Sequence, residues 1–379
     1  MISVKTYFDV FKNNDVNFFT GVPDSLLKNF VSYVSDNLKE SDHVITANEG
    51  ASIALASGYH LATNKVPVIY MQNSGLGNAV NPLLSLANEN VYSIPLLLLI
   101  GWRGEPNVKD EPQHFMQGQT TLSMLDVMEI PYIIIDDDET TSITKTKDII
   151  NQTKRLGKPH AIVVKKGVFS SYKLQSGTQS DLEMSRETAM KIVTDFLSEK
   201  DIVVSTTGKL SRELFEYRVE KKQTHSKDFL TVGSMGHASM IALGIAKEKK
   251  KRKVYCFDGD GAVLMHTGSL SSIGSSGLKN YRHIVFNNGA HESVGGQSTL
   301  GFSIDMPQIA NSCGYTKIYS VSKTKELKDV LVDFNSHQGV AFLEIKVRID
   351  SRSNLGRPTT TPIENKKSLM KNILTNDKK

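Results

Sequence analysis

Two short apolar runs, each stopped by Gly, Asp and Asn, constrain this chain more than any other feature in it. The first, Val254 to Phe257, ends in Asp258-Gly259-Asp260-Gly261. The second, His283 to Phe286, ends in Asn287-Asn288-Gly289. Runs of this length, bounded by turn residues, read as buried parallel strands. The segment between them is long enough for a crossover helix, expected to start near Ala262. Asp260 and Asn288 are therefore expected together at the carboxyl edge of one sheet, where open α/β sheets bind their ligands.

The residue types suit a diphosphate held through a divalent metal. Asp260 offers a carboxylate, Asn288 an amide oxygen, and a loop carbonyl such as that of Ala290 a third hard ligand. Mg²⁺ takes oxygen ligands and shares them with phosphates. Gly259 and Gly261 let the backbone approach a bulky anion, and the following helix would point its positive end at it. A lone Gly-Asp-Gly is most often a turn. The pair of motifs, with matching strand endings, carries the information.

At 379 residues the chain has room for two or three domains. No run of about eighteen apolar residues occurs, so no membrane span is expected; the longest, Ile94 to Ile100, suits a buried strand. The first sixteen residues lack the apolar core of a signal peptide. Two cysteines, Cys256 and Cys313, make no disulfide framework, and a cytoplasmic location is expected. The net charge of +5 gathers partly in Lys247–Lys253. Without interleaved aromatics that cluster reads as a solvated helix end, and no nucleic-acid partner is expected.

In chain order, Val4, Tyr7, Phe8 and Phe11 follow a helical spacing. A short strand at Phe18–Thr20 then runs into Gly21-Val22-Pro23-Asp24-Ser25, where Asp24 is either a helix cap or a functional group. Val44-Ile45 leads to a small-residue helix beginning near Glu49. A first-turn glutamate is favourable in any helix, so Glu49 also carries two readings. Strands follow at Val66–Met71, Leu96–Ile100, Ile133–Ile135 and Ala161–Val164. The loop after Ile100 holds Arg103, Asp110, Glu111, His114 and Gln117. Residues 167–185 are polar, with few apolar anchors, and read as a linker. A second α/β pattern follows, with strands at Ile202–Ser205, Phe229–Val232, the two opening runs and Ala341–Val347. The stretch after Asp350 reads as irregular, and the lysine-rich end as frayed. The expected division is 1–166, a linker 167–185, 186–365 and a tail 366–379.

Both halves resemble the thiamine-diphosphate-dependent 2-oxo acid decarboxylases. TANEGASIALASGYHLA is similar to their pyrimidine-domain helix with its catalytic glutamate, which places that role on Glu49. GSMGHASMIALGIA is similar to the segment that bends the cofactor; it places the wedge on Met235 and an aminopyrimidine contact on the Gly233 carbonyl. GDG followed by NN resembles the family's metal motif, with Asp260 and Asn288 as ligands. GVPDSLL, QNSGLGNAVNPL, DEPQH and GRPTTTP resemble the shorter phosphonopyruvate and sulfopyruvate branch. The chain departs from pyruvate decarboxylase-like members in lacking a middle domain, in having His114-Phe115 where they have adjacent histidines, and in a displaced acid, Glu292.

The resemblance implies two doubly wound α/β domains, one binding the pyrimidine and one the diphosphate, with no middle domain. It implies thiamine diphosphate and Mg²⁺ as cofactors, with Asp24, Glu49, Gly233, Met235, Gly259, Asp260, Gly261 and Asn288 around them. It implies a homodimer or higher homo-oligomer with active sites shared between chains. The expected reaction converts 3-phosphonopyruvate to 2-phosphonoacetaldehyde and CO2 in phosphonate biosynthesis; sulfopyruvate or another short 2-oxo acid is the alternative substrate. A non-catalytic binding module is the alternative of another class, and Glu49 argues against it. His114 and His291 are candidates to move protons. Arg103, Gln117, Arg352 and Arg357 are candidates to hold an anionic substrate.

Overall fold

A strand without a solvent-facing side is buried on both faces, and the central strands of both sheets are of this kind, from Leu97–Gly101 in the first to Tyr281–Asn287 in the second. The computed structural model describes residues 1–176 and 180–375. Contacts divide the chain into two units. One comprises Met1–Gly177 with His291–Gln297; the other comprises Thr178–Ala290 with Ser298–Lys379.

The first unit holds β1 (Phe19–Gly21), β2 (His43–Ile45), β3 (Val68–Gln72), β4 (Leu97–Gly101), β5 (Tyr132–Ile135) and β6 (His160–Val164), in the order β2-β1-β3-β4-β6-β5. All neighbouring pairs are parallel. Alternate residues of each central strand enter opposite cores. Val68, Tyr70, Leu97 and Leu99 pack with the aromatic cluster of Tyr7, Phe11, Phe19 and Phe30. Ile69, Met71, Leu98 and Ile100 pack with Ile53, Leu76 and Leu125 on the other face. The chain first steps from β1 to β2 and then returns past β1 to β3. The carboxyl edge between β1 and β3 is therefore a switch point, where loops diverge to opposite faces.

The second unit repeats the plan. It holds β7 (Ile202–Ser205), β8 (Asp228–Leu230), β9 (Val254–Gly259), β10 (Tyr281–Asn287), β11 (Lys317–Val321) and β12 (Ala341–Lys346), in the order β11-β12-β10-β9-β7-β8. All are parallel, and the switch point lies between β7 and β9.

Four expectations need revision. The segment after Gly259 is not one crossover helix from Ala262 but two short ones, Asp260–Met265 and Ser269–Gly274. A six-residue helix offers an anion only a small aligned dipole. The polar stretch 167–185 is anchored at its start, since Val168 and Phe169 are buried in the first core; residues 177–179 of it lie outside the described residues. β11 was not expected at all. The lysine-rich end is a helix, Pro362–Thr375, with Leu369 buried in the second unit's core, because one face of it is apolar enough to pack while the lysines stay in water. Residues 376–379 of the expected tail lie outside the described residues. Among the described residues no helix is long and apolar enough to cross a membrane.

Candidate active site

In the first unit the candidate residues converge on the carboxyl edge of the sheet. Glu49 opens the helix Glu49–Thr63, whose N-cap Asn48 accepts the Ala51 amide at 2.9 Å. The carboxylate is turned inward and is 5% exposed. Asn78, from the loop and helix after β3, donates Nδ2 to Glu49 Oε2 at 2.8 Å. Gly75 lies so close that a Cβ there would sit 2.4 Å from Oε1. Helix start, amide clamp and glycine gap together fix this acid in a way that a first-turn charge would not need.

Asp24, after β1, is buried, and its carboxylate accepts the amides of Leu26 and Leu27 at 2.9 and 3.3 Å. It is thus a turn cap ahead of the helix Lys28–Asn37. Burial raises its pKa against those amides and the nearby Arg103 charge. Arg103, after β4, is committed within the unit. Its Nε donates to Asp110 Oδ2 at 2.8 Å, Nη2 to Oδ1 at 2.5 Å and Nη1 to Ser25 Oγ at 2.6 Å. Asp110 is pushed up by desolvation, but Arg103 and two amides outweigh this and hold it well below the usual carboxylate range. His114 is buried just before the helix Phe115–Val127, and Gln117 stands exposed on its first turn. A cleft of about 750 Å³ opens beside this loop, lined by Glu105, Lys109, Asp110, Phe115 and Gln119 among others. His291 groups with the first unit. Its amide donates to the Gln297 carbonyl at 2.8 Å, closing a tight loop, and desolvation lowers the imidazole to about 4.

In the second unit β9 and β10 run in register with Phe286 beside Gly259, so Asp260 lies opposite Asn287, with Asn288 next in the chain. Asp260 is 3% exposed. Desolvation raises its carboxyl to about 6, opposed by the Thr299 hydroxyl and by amides that include those of Asn288 and Gly261. Asn288 is buried, and its Oδ1 accepts the Ala290 amide at 3.1 Å. Asn287 Oδ1 accepts the Gly289 amide at 3.0 Å, and its Nδ2 reaches Gly301 O and Glu344 Oε1. Gly289 has φ +64 and faces the Phe302 ring, so a side chain there would clash. Gly233 and Met235 lie on the loop after β8, where Gly236 packs against Ala262 O and His266. Met235 belongs to neither apolar core of its unit. Arg352 and Arg357 are elsewhere. They line a cleft of about 970 Å³ with Glu187, Lys191, Glu216 and Glu220, and Arg352 is paired with both Glu187 and Glu216.

Two family models match the chain. Residues 4–129 match the N-terminal TPP binding domain of thiamine pyrophosphate enzymes, and residues 206–345 match the C-terminal TPP binding domain. The phosphonopyruvate decarboxylase of Streptomyces viridochromogenes is 33% identical over 359 residues, covering 91% of this chain and 88% of that one. The chain belongs to the phosphonopyruvate/sulfopyruvate decarboxylase family. The Streptomyces hygroscopicus phosphonopyruvate decarboxylase is 31% identical over 360 residues, covering 91% and 87%. The sulfopyruvate decarboxylase of Methanosarcina acetivorans is 27% identical over 362 residues, covering 89% of each chain. This member of the family is therefore a thiamine-diphosphate-dependent decarboxylase with two thiamine-diphosphate-binding domains of parallel α/β build.

The residues of this decarboxylase fit such a group on their own chemistry. The Ser205 and Thr206 hydroxyls are buried at the carboxyl end of β7, beside the switch point, and have no hydrogen-bond partner among the described residues. Buried hydroxyls of that kind are expected to find an acceptor, and a phosphate oxygen is one. Asp260 is a carboxylate that burial raises to about 6, an arrangement that a divalent cation would relieve. Sequence reasoning missed Asn78, Ser205, Thr206 and Thr299. Asn78 stood inside the QNSGLGNAVNPL stretch, and its amide was the available signal.

Proposed function

We propose that this decarboxylase converts 3-phosphonopyruvate to 2-phosphonoacetaldehyde and CO2, using thiamine diphosphate held through Mg²⁺. The carbon–carbon bond to the carboxylate breaks, CO2 leaves, and a proton takes its place on carbon. When bound, thiamine diphosphate supplies the electron sink for the pair left behind. The chain's own residues hold, orient and move protons. Asp260, Asn288 and the Ala290 carbonyl would hold the metal, and Gly259 and Gly261 would keep the backbone clear of the diphosphate. Met235, outside both cores, would press on the cofactor, and the Gly233 carbonyl would receive its amino group. Glu49 would share a proton with the pyrimidine, held for it by the Asn78 amide on Oε2. His114 and His291 are the candidates for the product proton, and Gln117 for the phosphonate. Arg103 and Arg352 already serve carboxylates, so each would bind substrate only by leaving them.

The observation that carries the phosphonopyruvate reading is similarity along almost the whole chain: 33% and 31% to two phosphonopyruvate decarboxylases against 27% to a sulfopyruvate decarboxylase. Specificity constants for phosphonopyruvate, sulfopyruvate and pyruvate, read as CO2 release, test it. The expected result favours phosphonopyruvate over pyruvate by orders of magnitude. Equal constants for those two would refute a phosphonate site, and a preference for sulfopyruvate would move the enzyme to the other branch.

The active form is a homo-oligomer with active sites shared between chains. Mixing Glu49→Gln with Asp260→Ala after reversible dissociation should restore activity, since mixed dimers would hold one intact site. No recovery, with mixed dimers present, would place both residues in one chain's site. Both cysteines are free, which suits the reducing cytoplasm.

A further inference from the structure

We infer that Thr299 is a positioning residue that sets the rotation of the Asp260 carboxylate and so the affinity of the metal it holds. The inference rests on the reading of Asp260 as a metal ligand. An aspartate's terminal torsion is broad, with no strongly preferred setting of its own. Something outside the residue must therefore decide which oxygen faces a cation.

The chain supplies that through a loop that returns to its own starting point. After β10 it leaves at Gly289 and comes back at Ser298, where Ala290 and Ser298 form an isolated antiparallel bridge. The Thr299 amide donates to the Gly289 carbonyl at 2.9 Å, which brings the side chain to Asp260. Thr299 Oγ1 donates to Asp260 Oδ2 and accepts the Gly301 amide at 3.0 Å. A hydroxyl has one proton. With Gly301 donating to the oxygen, that proton is free to point at the carboxylate.

The next residues lock the arrangement. A Cβ on Gly301 would lie 2.5 Å from Asn287 Oδ1 and 2.7 Å from Asp260 Oδ2, so the backbone there sits directly against both motif residues. Asn287 Nδ2 donates to the Gly301 carbonyl at 2.7 Å and to Glu344 Oε1 at 2.8 Å. Ser320 Oγ donates to the other Glu344 oxygen at 2.5 Å. The first Asn of the motif thus clasps the loop, and the loop's threonine holds the aspartate. Groups that orient a metal ligand typically contribute about 10- to 100-fold in metal affinity.

The test is titration of the cofactor-free protein with Mg²⁺ in the presence of thiamine diphosphate, followed by calorimetry, beside the Mg²⁺ dependence of turnover. Thr299→Val keeps the shape and removes the hydroxyl; Thr299→Ser keeps the hydroxyl. Thr299→Val is expected to weaken apparent Mg²⁺ affinity about 10- to 100-fold, with kcat at saturating Mg²⁺ close to wild type. Thr299→Ser should bind within about threefold of wild type. Thr299→Ala should behave like the valine variant and replaces it if that variant does not fold. Unchanged affinity in Thr299→Val, or equal losses in the serine and valine variants, would overturn the inference while wild-type Mg²⁺ binding leaves the metal reading intact. A wild-type protein that binds thiamine diphosphate without Mg²⁺ would overturn both.

Discussion

Replacing Gly75 by alanine isolates the placement of Glu49 from its chemistry. Gly75 has φ −72 and ψ −15, a conformation that alanine adopts without strain, so the change acts only through the added methyl. That methyl would lie 2.4 Å from Glu49 Oε1 and 2.6 Å from Cδ and Cγ, where ordinary contact begins near 3.4 Å. The carboxylate must retreat by about 1 Å, the difference between those distances. Gly75 and Glu49 are both buried, so the clash should also lower unfolding free energy, by about 1–3 kcal/mol, which the melt reads apart from the rate. The retreat stretches the 2.8 Å bond from Asn78 and moves the acid off its working position. A misplacement of about 1 Å costs on the order of 100-fold in rate, or about 2.7 kcal/mol of barrier. The assay is kcat for CO2 release at saturating thiamine diphosphate and Mg²⁺, beside a thermal melt. A rate within about threefold of wild type, with cofactor fully bound, would refute the claim that the position of Glu49 limits turnover.

Glu49→Gln should bind cofactor normally by calorimetry and lose at least about 100-fold in kcat, the usual contribution of a positioned proton-transfer group; near wild-type turnover would remove Glu49 from the reaction. Chelation and dialysis should abolish activity, and Mg²⁺ with thiamine diphosphate should restore it; activity surviving exhaustive chelation would exclude the metal role of Asp260. Asp260→Asn should bind no Mg²⁺ yet stabilise the cofactor-free protein near neutral pH. The folded carboxyl titrates at about 6 against an ordinary value of 3.8, so its contribution is fully present below pH 4 and is lost as pH rises through 6, at an upper bound of about 3 kcal/mol. Denaturant unfolding of the cofactor-free pair between pH 4 and pH 8 should show the variant's advantage growing with pH, and a pH-independent difference would contradict the burial argument.

Much of this architecture was legible because its strands are buried on both faces. Val68–Gln72 and Leu97–Gly101 are apolar almost without interruption, and the polar residues that stop them mark the edge where the site lies. β11 escaped because it is an edge strand, half-exposed, with Lys317 and Ser320 breaking the apolar run. The helix Pro362–Thr375 escaped because its lysines face water and only Asn365 and Leu369 are buried. Glu49 and Asp260 could be read from their own neighbours in sequence. Their partners could not, since Asn78 is 29 residues from Glu49 and Thr299 is 39 from Asp260. Arg103 and Arg352 illustrate the opposite limit. Sequence offers a cation, and only geometry shows that Asp110 or Glu187 already faces it.

The same helix has a second consequence. β8 is the outermost strand of its sheet, and such a strand offers its free amides and carbonyls to any passing chain. Asn365 meets that edge with one side chain: its Oδ1 accepts the Leu230 amide at 3.1 Å, and its Nδ2 donates to the Asp228 carbonyl at 2.8 Å. A primary amide carries the same donor and acceptor as a peptide unit, so it imitates one residue of a neighbouring strand and ends the sheet there. The lysine-rich segment that looks expendable in the sequence thus covers this strand's edge, and a chain cut short before Pro362 would leave the Leu230 amide and the Asp228 carbonyl without this partner.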